Sequence, residues 1–197
     1  MITIVSGLPR SGTSLMMQML SAGGMPVLSD GERVADTDNP RGYYEWERIK
    51  LLPQRPGCIA EAEGKVVKVI SQLLFALSAS HDYRIIFMDR PLAEVAASQA
   101  EMIRHRGTSG PKLADAALVT GLQTHLNQVD AQLRTRKNIA LTRVSYHEVL
   151  REPVHVAETI QHFVGRVLDV AAMSQQVDSS LYRQRNPGAE SHPDWRA

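Results

Sequence analysis

Short apolar runs alternate along the chain with longer stretches in which apolar residues recur at helical spacing. Four of the short runs predict buried strands, at residues 2–6, 65–70, 84–88 and 139–144. They are rich in Val and Ile and apolar on both faces, as parallel strands are when helices cover both sides of the sheet. A brief fifth strand is predicted at residues 25–28.

Helical patterns lie between these strands, at residues 12–21, 92–106, 113–136 and 153–164. Strands that alternate with helices predict an α/β fold, with three layers and a mostly parallel central sheet. A chain of 197 residues fits one domain. We assign that domain to residues 1–183 and expect residues 184–197 to form a flexible C-terminal tail.

Residues 29–64 interrupt this alternation. The segment is polar, rich in aromatic residues and punctuated by Pro and Gly. We expect a largely irregular excursion with a helix near residues 44–52. In parallel sheets ligands bind beyond the carboxyl ends of the strands, so we expect the excursion to lie over a binding site there.

Composition narrows the class of protein without deciding its function. The chain has 22 Lys and Arg against 21 Asp and Glu, so its bulk charge does not suggest nucleic-acid binding. A single cysteine, Cys58, excludes an internal disulfide and a cysteine zinc cluster and favours a reducing compartment. We find no apolar run long enough to span a membrane and no room for a signal peptide before the first strand. The expectation is a cytoplasmic protein.

The first strand runs into a glycine-rich loop, SGLPRSGTS, at residues 6–14. Gly7 and Gly12 allow backbone angles and close approach that a Cβ would prevent. Backbone amides at the start of the following helix, with the hydroxyls of Thr13 and Ser14, would then face an anion. A plain turn is the alternative, but strand, loop and helix in this order favour phosphate binding.

The loop lacks the lysine that an ATP-binding P-loop places after its second glycine. Thr13 stands at that position, and it cannot reach the β- and γ-phosphates as a lysine does. Arg10, inside the loop, offers a planar guanidinium to an oxyanion instead.

Residues 9–14, PRSGTS, resemble the 5′-phosphosulfate loop of the sulfotransferases, whose pattern is P-[KR]-S-G-T-[TS]. Those enzymes use 3′-phosphoadenosine 5′-phosphosulfate (PAPS), require no metal, and share a P-loop-like α/β fold. The arginine form of the loop is closer to the protein-tyrosine and bacterial branches than to the cytosolic branch. The resemblance implies that the donor is bound by Pro9, Arg10, Ser11, Gly12, Thr13 and Ser14.

A second motif agrees with the first. Sulfotransferases bind the 3′-phosphate of the donor with an arginine at a strand end and a serine eight residues later, in the next helix. Arg90 follows the strand at 84–88, and Ser98 lies eight residues further on. The resemblance implies that these two bind the 3′-phosphate and that Arg10 stabilises charge on the leaving oxygen.

Weaker similarity continues to about residue 150 and beyond. The sequence IALTRVSYHEVLREP resembles the late family strand and its continuation, and Tyr146 falls where the family has a tyrosine near the adenine. A tyrosine that simply packs on the next helix would look the same. The C-terminal basic motif of the family is absent, and Arg183 or Arg185 is its candidate replacement as a phosphate ligand.

The general base is the least defined part of the site. The cytosolic branch has a histidine two residues after a strand lysine, but here Ile70 follows Lys68 at that position. The tyrosylprotein branch has a glutamate about twenty residues past the loop arginine, and Asp30 and Glu32 flank that place in this chain. We favour Asp30 over Glu32 as the base, with Asp36 and Glu45 as the alternatives, and expect Lys68 to assist the leaving group.

The expected activity is sulfuryl transfer to a hydroxyl or amine of a small-molecule, glycan or peptide acceptor. One alternative is a P-loop nucleotide kinase or NTPase, for which Asp89 would be the acidic residue at a strand end. The other is a non-catalytic nucleotide-binding domain that kept the phosphate loop and lost the base.

Overall fold

A computed structural model describes residues 1–32, 42–105 and 115–178 of the chain. The strands are β1 (Ile2–Gly7), β2 (Val27–Leu28), β3 (Val66–Lys68), β4 (Tyr83–Asp89) and β5 (Ile139–Ser145). The helices are α1 (Thr13–Ala22), α2 (Leu92–His105), α3 (Asp115–Arg134), α4 (Tyr146–Arg151), α5 (Pro153–Val164) and α6 (Val170–Ser174). Shorter 3-10 helices cover Glu47–Leu51, Pro56–Ala62 and Ser71–Ala76.

The five strands form one parallel sheet in the order β2-β3-β1-β4-β5. β1 is the central strand, with Val5 paired to Lys68 of β3 on one side and to Ile86 of β4 on the other. The loop after β1 therefore lies between the carboxyl ends of its two neighbours. Residues that follow β3 and β4 can reach this loop from opposite sides, which is the property that builds the site.

Two apolar cores cover the two faces of the sheet. One joins Val5 and Ile86 to the apolar faces of α1, α5 and α6. The other joins Ile2 and Ile4 to the 3-10 helices and to α3, and it includes Trp46, which directly precedes the first 3-10 helix. Alternate residues of β1 thus enter opposite cores, because successive side chains of a strand point to opposite faces. The predicted three-layer α/β fold is confirmed.

All five predicted strands are present, and the predicted helix bounds agree with α1, α2, α3 and α5 to within two residues. The helix expected at 44–52 is a 3-10 helix, Glu47–Leu51, and the excursion carries a second one, Pro56–Ala62. Asp36, Arg183 and Arg185 lie outside the described residues. Within the described ranges, no helix combines the length and the apolar character needed to cross a membrane.

Candidate functional site

The loop between β1 and α1 has an unusual backbone conformation. Gly12, directly before α1, is left-handed at φ 101°, and Arg10 is left-handed as well, at φ 77°. The amide of Ser11 donates to the carbonyl of Leu8 at 3.1 Å, which closes a tight turn. Left-handed residues in such a turn direct successive amides to one side, and the first amides of a helix have no acceptor within the helix. This backbone conformation is the kind that can form an anion-binding concavity.

Close packing explains why the two loop positions are glycine. A Cβ on Gly12 would lie 2.5 Å from Cδ2 of Tyr146, and a Cβ on Gly7 would lie 2.8 Å from the carbonyl oxygen of Met88. Side chains at these positions would push the loop away from the ring and from β4. The glycines thus hold the loop against the elements that carry the next residues of the site.

Arg10, Arg90 and Ser98 meet beside the loop, although they come from three places in the chain. Nε of Arg10 donates to Oγ of Ser98 at 2.9 Å, and Nη1 of Arg90 donates to the carbonyl oxygen of Arg10 at 3.1 Å. Gln99, next to Ser98 on α2, donates to the carbonyl of Pro9 at 3.0 Å. These hydrogen bonds therefore join the end of β4 and the first turns of α2 to the loop.

Arg90 lies on the ring of Tyr146, with its guanidinium carbon 4.7 Å from the ring centroid. The same ring packs against Gly12, so Tyr146 is a wall between the loop and the arginine. Burial raises the pKa of the Tyr146 phenol, and the positive charges of Arg90 and Arg10 partly oppose that shift. The phenol is consequently neutral at physiological pH, which suits a stacking and hydrogen-bonding role.

Two residues beside Arg90 were not among the sequence candidates. Glu94 accepts from Nε of Arg90 at 2.9 Å, and its other oxygen lies 3.0 Å from Nε2 of His147. Glu94 could have been suspected because it is an acidic residue in the first turn of α2, four residues after Arg90 and close enough in the chain to pair with it. His147 could not, because its partner lies 53 residues away in the chain.

Lys68 reaches the loop from the opposite side. It is the last residue of β3 and is only 9% exposed. Its Nζ donates to Oγ of Ser14 at 3.1 Å and to the carbonyl of Tyr43 at 3.1 Å. Oε1 of Glu45 lies 3.7 Å from the same nitrogen. The excursion therefore returns over the loop at Tyr43 and Glu45, where it places a carboxylate beside a buried cation.

Asp30, the favoured base from the sequence, accepts hydrogen bonds from the backbone amides of Glu32 and Glu47. Its carboxylate thereby provides, from a distant part of the chain, an acceptor for the first amide of the 3-10 helix Glu47–Leu51, whose N-cap residue Trp46 makes no side-chain cap. Glu32 is exposed at the edge of the described segment. The carboxylate that contacts Lys68 is that of Glu45, which was one of the alternatives to Asp30.

Asp89, the acidic residue of the kinase alternative, has a partner in the sheet. Its carboxylate accepts a bidentate pair of bonds from Arg143 of β5, and the same guanidinium donates to Asp130 of α3 at 2.6 Å. Arg143 also lies 4.7 Å from the ring centroid of Phe87. This cluster ties β4, β5 and α3 together. An aspartate so engaged does not resemble one that is poised to hold a nucleotide-bound magnesium ion.

The site thus combines a phosphate-type loop with cations on both sides. Arg10, Arg90 and Ser98 lie on the β4 side, and Lys68 and Ser14 on the β3 side. In the described ranges no three His, Cys, Asp or Glu side chains group together as a metal site would require.

Comparison with known proteins was made by sequence and by structure. No family model matches the chain, and no curated protein matches it by sequence. Solved structures do match. The sulfotransferase domain of a Synechococcus olefin synthase has a TM-score of 0.55 and 15% identity over 92% of this chain and 78% of its own. A Mycobacterium tuberculosis sulfotransferase has a TM-score of 0.57 and 15% identity over 89% and 70%.

A third structure, a sulfotransferase from Alicyclobacillus acidocaldarius, aligns over 92% of this chain and 95% of its own, with a TM-score of 0.52 and 14% identity. At such identities the likeness establishes the fold and leaves the roles of individual residues to be tested. The resemblance seen in the loop and in the Arg90–Ser98 spacing is confirmed at that level: the chain has the fold of the sulfotransferases.

Proposed function

We propose that this protein is a sulfotransferase that moves a sulfuryl group from PAPS to a hydroxyl or amine acceptor. The observation that carries the proposal is the convergence of Lys68 and the Arg90–Ser98 pair on the two sides of a glycine loop. A lysine-containing P-loop would place its cation inside the loop. Here Arg10 is inside the loop, and two further cations, Lys68 at the end of β3 and Arg90 after β4, approach it from the neighbouring strands, which suits a donor whose two anionic groups lie apart.

The donor would be held by the loop, by Arg90 and Ser98 at the 3′-phosphate, and by Tyr146 beside the nucleotide. Ser11 and Thr13 belong to the same loop, and Arg183 remains a predicted ligand outside the described residues. The bound donor supplies a sulfuryl group on a phosphate leaving group. In the reaction the bond from the acceptor oxygen or nitrogen to sulfur forms, the bond from sulfur to the bridging oxygen breaks, and the acceptor proton passes to a base.

Lys68 and Arg10 are the proposed groups that stabilise charge on the leaving phosphate. Lys68 is buried against Ser14, and a cation in a site of low dielectric acts strongly on developing charge. Arg10 lies on Ser98, so its guanidinium contributes from the β4 side. We therefore assign the bridging oxygen to Lys68 first and to Arg10 second.

We propose Glu45 as the general base. A base must lie within hydrogen-bonding reach of the acceptor proton, and the acceptor must approach the sulfur opposite the leaving oxygen. Glu45 lies 3.7 Å from Lys68, in the part of the excursion that covers the loop. The contact with Lys68, which itself donates to Ser14, favours Glu45 over Asp30, whose carboxylate accepts from the amides of Glu32 and Glu47.

Calorimetry tests the donor. Adenosine 3′,5′-bisphosphate, the desulfated product, should bind without magnesium, and Arg90→Ala should weaken that binding by about 1–3 kcal/mol through loss of a charged hydrogen bond. Binding of ATP with magnesium in place of the bisphosphate would contradict the sulfotransferase assignment. An unchanged affinity in Arg90→Ala would contradict the 3′-phosphate assignment alone.

Turnover tests the base. With PAPS and a panel of phenol, alcohol, sugar and amine acceptors, Glu45→Gln should lower the rate about 100- to 10,000-fold, the usual contribution of a general base. Its affinity for the bisphosphate should stay within about twofold of the affinity of the parent protein, because the substitution leaves the donor-binding residues unchanged. Asp30→Asn is the matched comparison, and a greater loss in that variant would move the base to Asp30. Bisphosphate binding without transfer to any acceptor would favour the non-catalytic alternative.

A further inference from the structure

Glu94 is a buried carboxylate at the edge of the candidate site. Its side chain is 1% exposed, in the first turn of α2. A carboxylate is rarely so buried unless charged or hydrogen-bonding groups compensate for its lost hydration. Here the compensating groups are the guanidinium of Arg90 and the ring of His147, which lies 3.0 Å and 3.2 Å from the two carboxylate oxygens. The pairing explains the burial and joins α2 to α4.

The contacts of Arg90 define the plane of its guanidinium. Glu94 accepts from Nε, the carbonyl of Arg10 accepts from Nη1, and the ring of Tyr146 lies against the face. Because these contacts engage Nε, Nη1 and the flat face of the guanidinium, rotation about the side-chain bonds of Arg90 is restricted. A long arginine side chain loses considerable rotamer entropy when it is ordered, and a preordered one does not lose it on binding.

We propose that Glu94 is a positioning residue for Arg90, held in place by His147, and that it sets the selectivity of the site for nucleotides that carry a 3′-phosphate. This inference rests on the proposed function. In this proposal Glu94 acts through Arg90, because its carboxylate accepts from Nε of the guanidinium. Its negative charge weakens the field of Arg90, but the hydrogen bond to Nε keeps the guanidinium fork in one orientation. For a bidentate interaction with phosphate, orientation contributes more than an unplaced charge does.

The experiment measures selectivity rather than affinity alone. The dissociation constants of adenosine 3′,5′-bisphosphate and adenosine 5′-monophosphate are measured by calorimetry on each folded variant, and their ratio isolates the contribution of the 3′-phosphate. Arg90→Ala gives the ratio expected when that contribution is lost. A purely structural role for Glu94 would change stability and leave the ratio unchanged.

Glu94→Met keeps the length of the side chain and removes the acceptor. We expect it to lower the selectivity ratio about tenfold, towards the Arg90→Ala value, as loss of an oriented charged hydrogen bond does. Glu94→Gln keeps an acceptor oxygen for Nε and should recover most of the selectivity. Glu148→Gln, on the residue next to His147, is the matched control and should keep the parent ratio.

The outcomes separate the inference from the function. A parent protein that binds the monophosphate as tightly as the bisphosphate contradicts the proposed function. A parent that prefers the bisphosphate, with an equal preference in Glu94→Met, overturns the role of Glu94 and leaves the function intact. If Glu94→Met does not fold, His147→Leu replaces it, since His147 is 34% exposed and its loss still releases one side of the carboxylate. An unchanged ratio in that variant also overturns the inference.

Discussion

Replacing Gly12 by alanine tests whether the loop and the Tyr146 wall are packed as described. Gly12 has φ 101°, and left-handed backbone costs a residue with a Cβ about 1–2 kcal/mol. The new Cβ would also lie 2.5 Å from Cδ2 and 3.0 Å from Cε2 of Tyr146, and overpacking of this kind costs about 1–3 kcal/mol. The two terms together predict that Gly12→Ala lowers the free energy of unfolding by about 2–5 kcal/mol.

Gly24 provides the matched control. It too is left-handed, at φ 90°, but a Cβ there would meet nothing within 4 Å. Gly24→Ala should therefore cost only the backbone term, about 1–2 kcal/mol. Urea unfolding followed by circular dichroism gives both values, and combining Gly12→Ala with Tyr146→Ala should remove the steric part of the cost. Equal losses for Gly12→Ala and Gly24→Ala would show that the ring does not pack on the loop.

Three further predictions concern the rest of the molecule. Arg143→Met should lower the free energy of unfolding by about 1–3 kcal/mol, because it removes the bidentate bonds to Asp89 and the bond to Asp130, whereas Arg151→Met at an exposed pair should stay within about 0.5 kcal/mol. Burial lowers the pKa of His125 below its ordinary value of 6.5, so below about pH 6.5 the unfolded chain binds more protons than the folded chain, and the free energy of unfolding should decline. In urea titrations between pH 7 and 5, His125→Gln should show a smaller decline than the parent protein. Burial raises the pKa of the Cys58 thiol, so its alkylation by iodoacetamide should be slower at pH 8 in the folded than in the urea-unfolded protein, and equal rates would contradict the placement of that thiol.

The strands and the phosphate-type loop could be predicted because their signals are local. A run of Val and Ile needs burial wherever it occurs, and a glycine at a left-handed position is required by the backbone itself. Arg90 and Ser98 became candidates through the resemblance to the sulfotransferases, whose spacing of eight residues this chain shares. The structure brings Ser98 to Arg10, and the role of the pair at a 3′-phosphate stays a prediction.

The placement of the carboxylates near the loop could not be predicted in the same way. Residues 29–64 carry no periodic pattern, so their sequence does not indicate which of several carboxylates returns to the loop. Tertiary packing brings Glu45 to Lys68, because the backbone at Tyr43 accepts a hydrogen bond from the same ammonium group, and it leaves Asp30 to cap a 3-10 helix. Short elements such as the 3-10 helix Glu47–Leu51 depend on these contacts more than on propensity.

By itself the sequence determined the layered α/β fold and the position of the glycine-rich loop, because each depends on neighbours within a few residues or on the pitch of one element. Only the tertiary structure brings Glu94 into contact with both Arg90 and His147, and Lys68 of β3 into contact with Ser14. Glu94 and His147 lie 53 residues apart in the chain, and Ser14 and Lys68 lie 54 residues apart. Their meeting follows from strand order and register, which are properties of the assembled sheet and not of any segment of the chain.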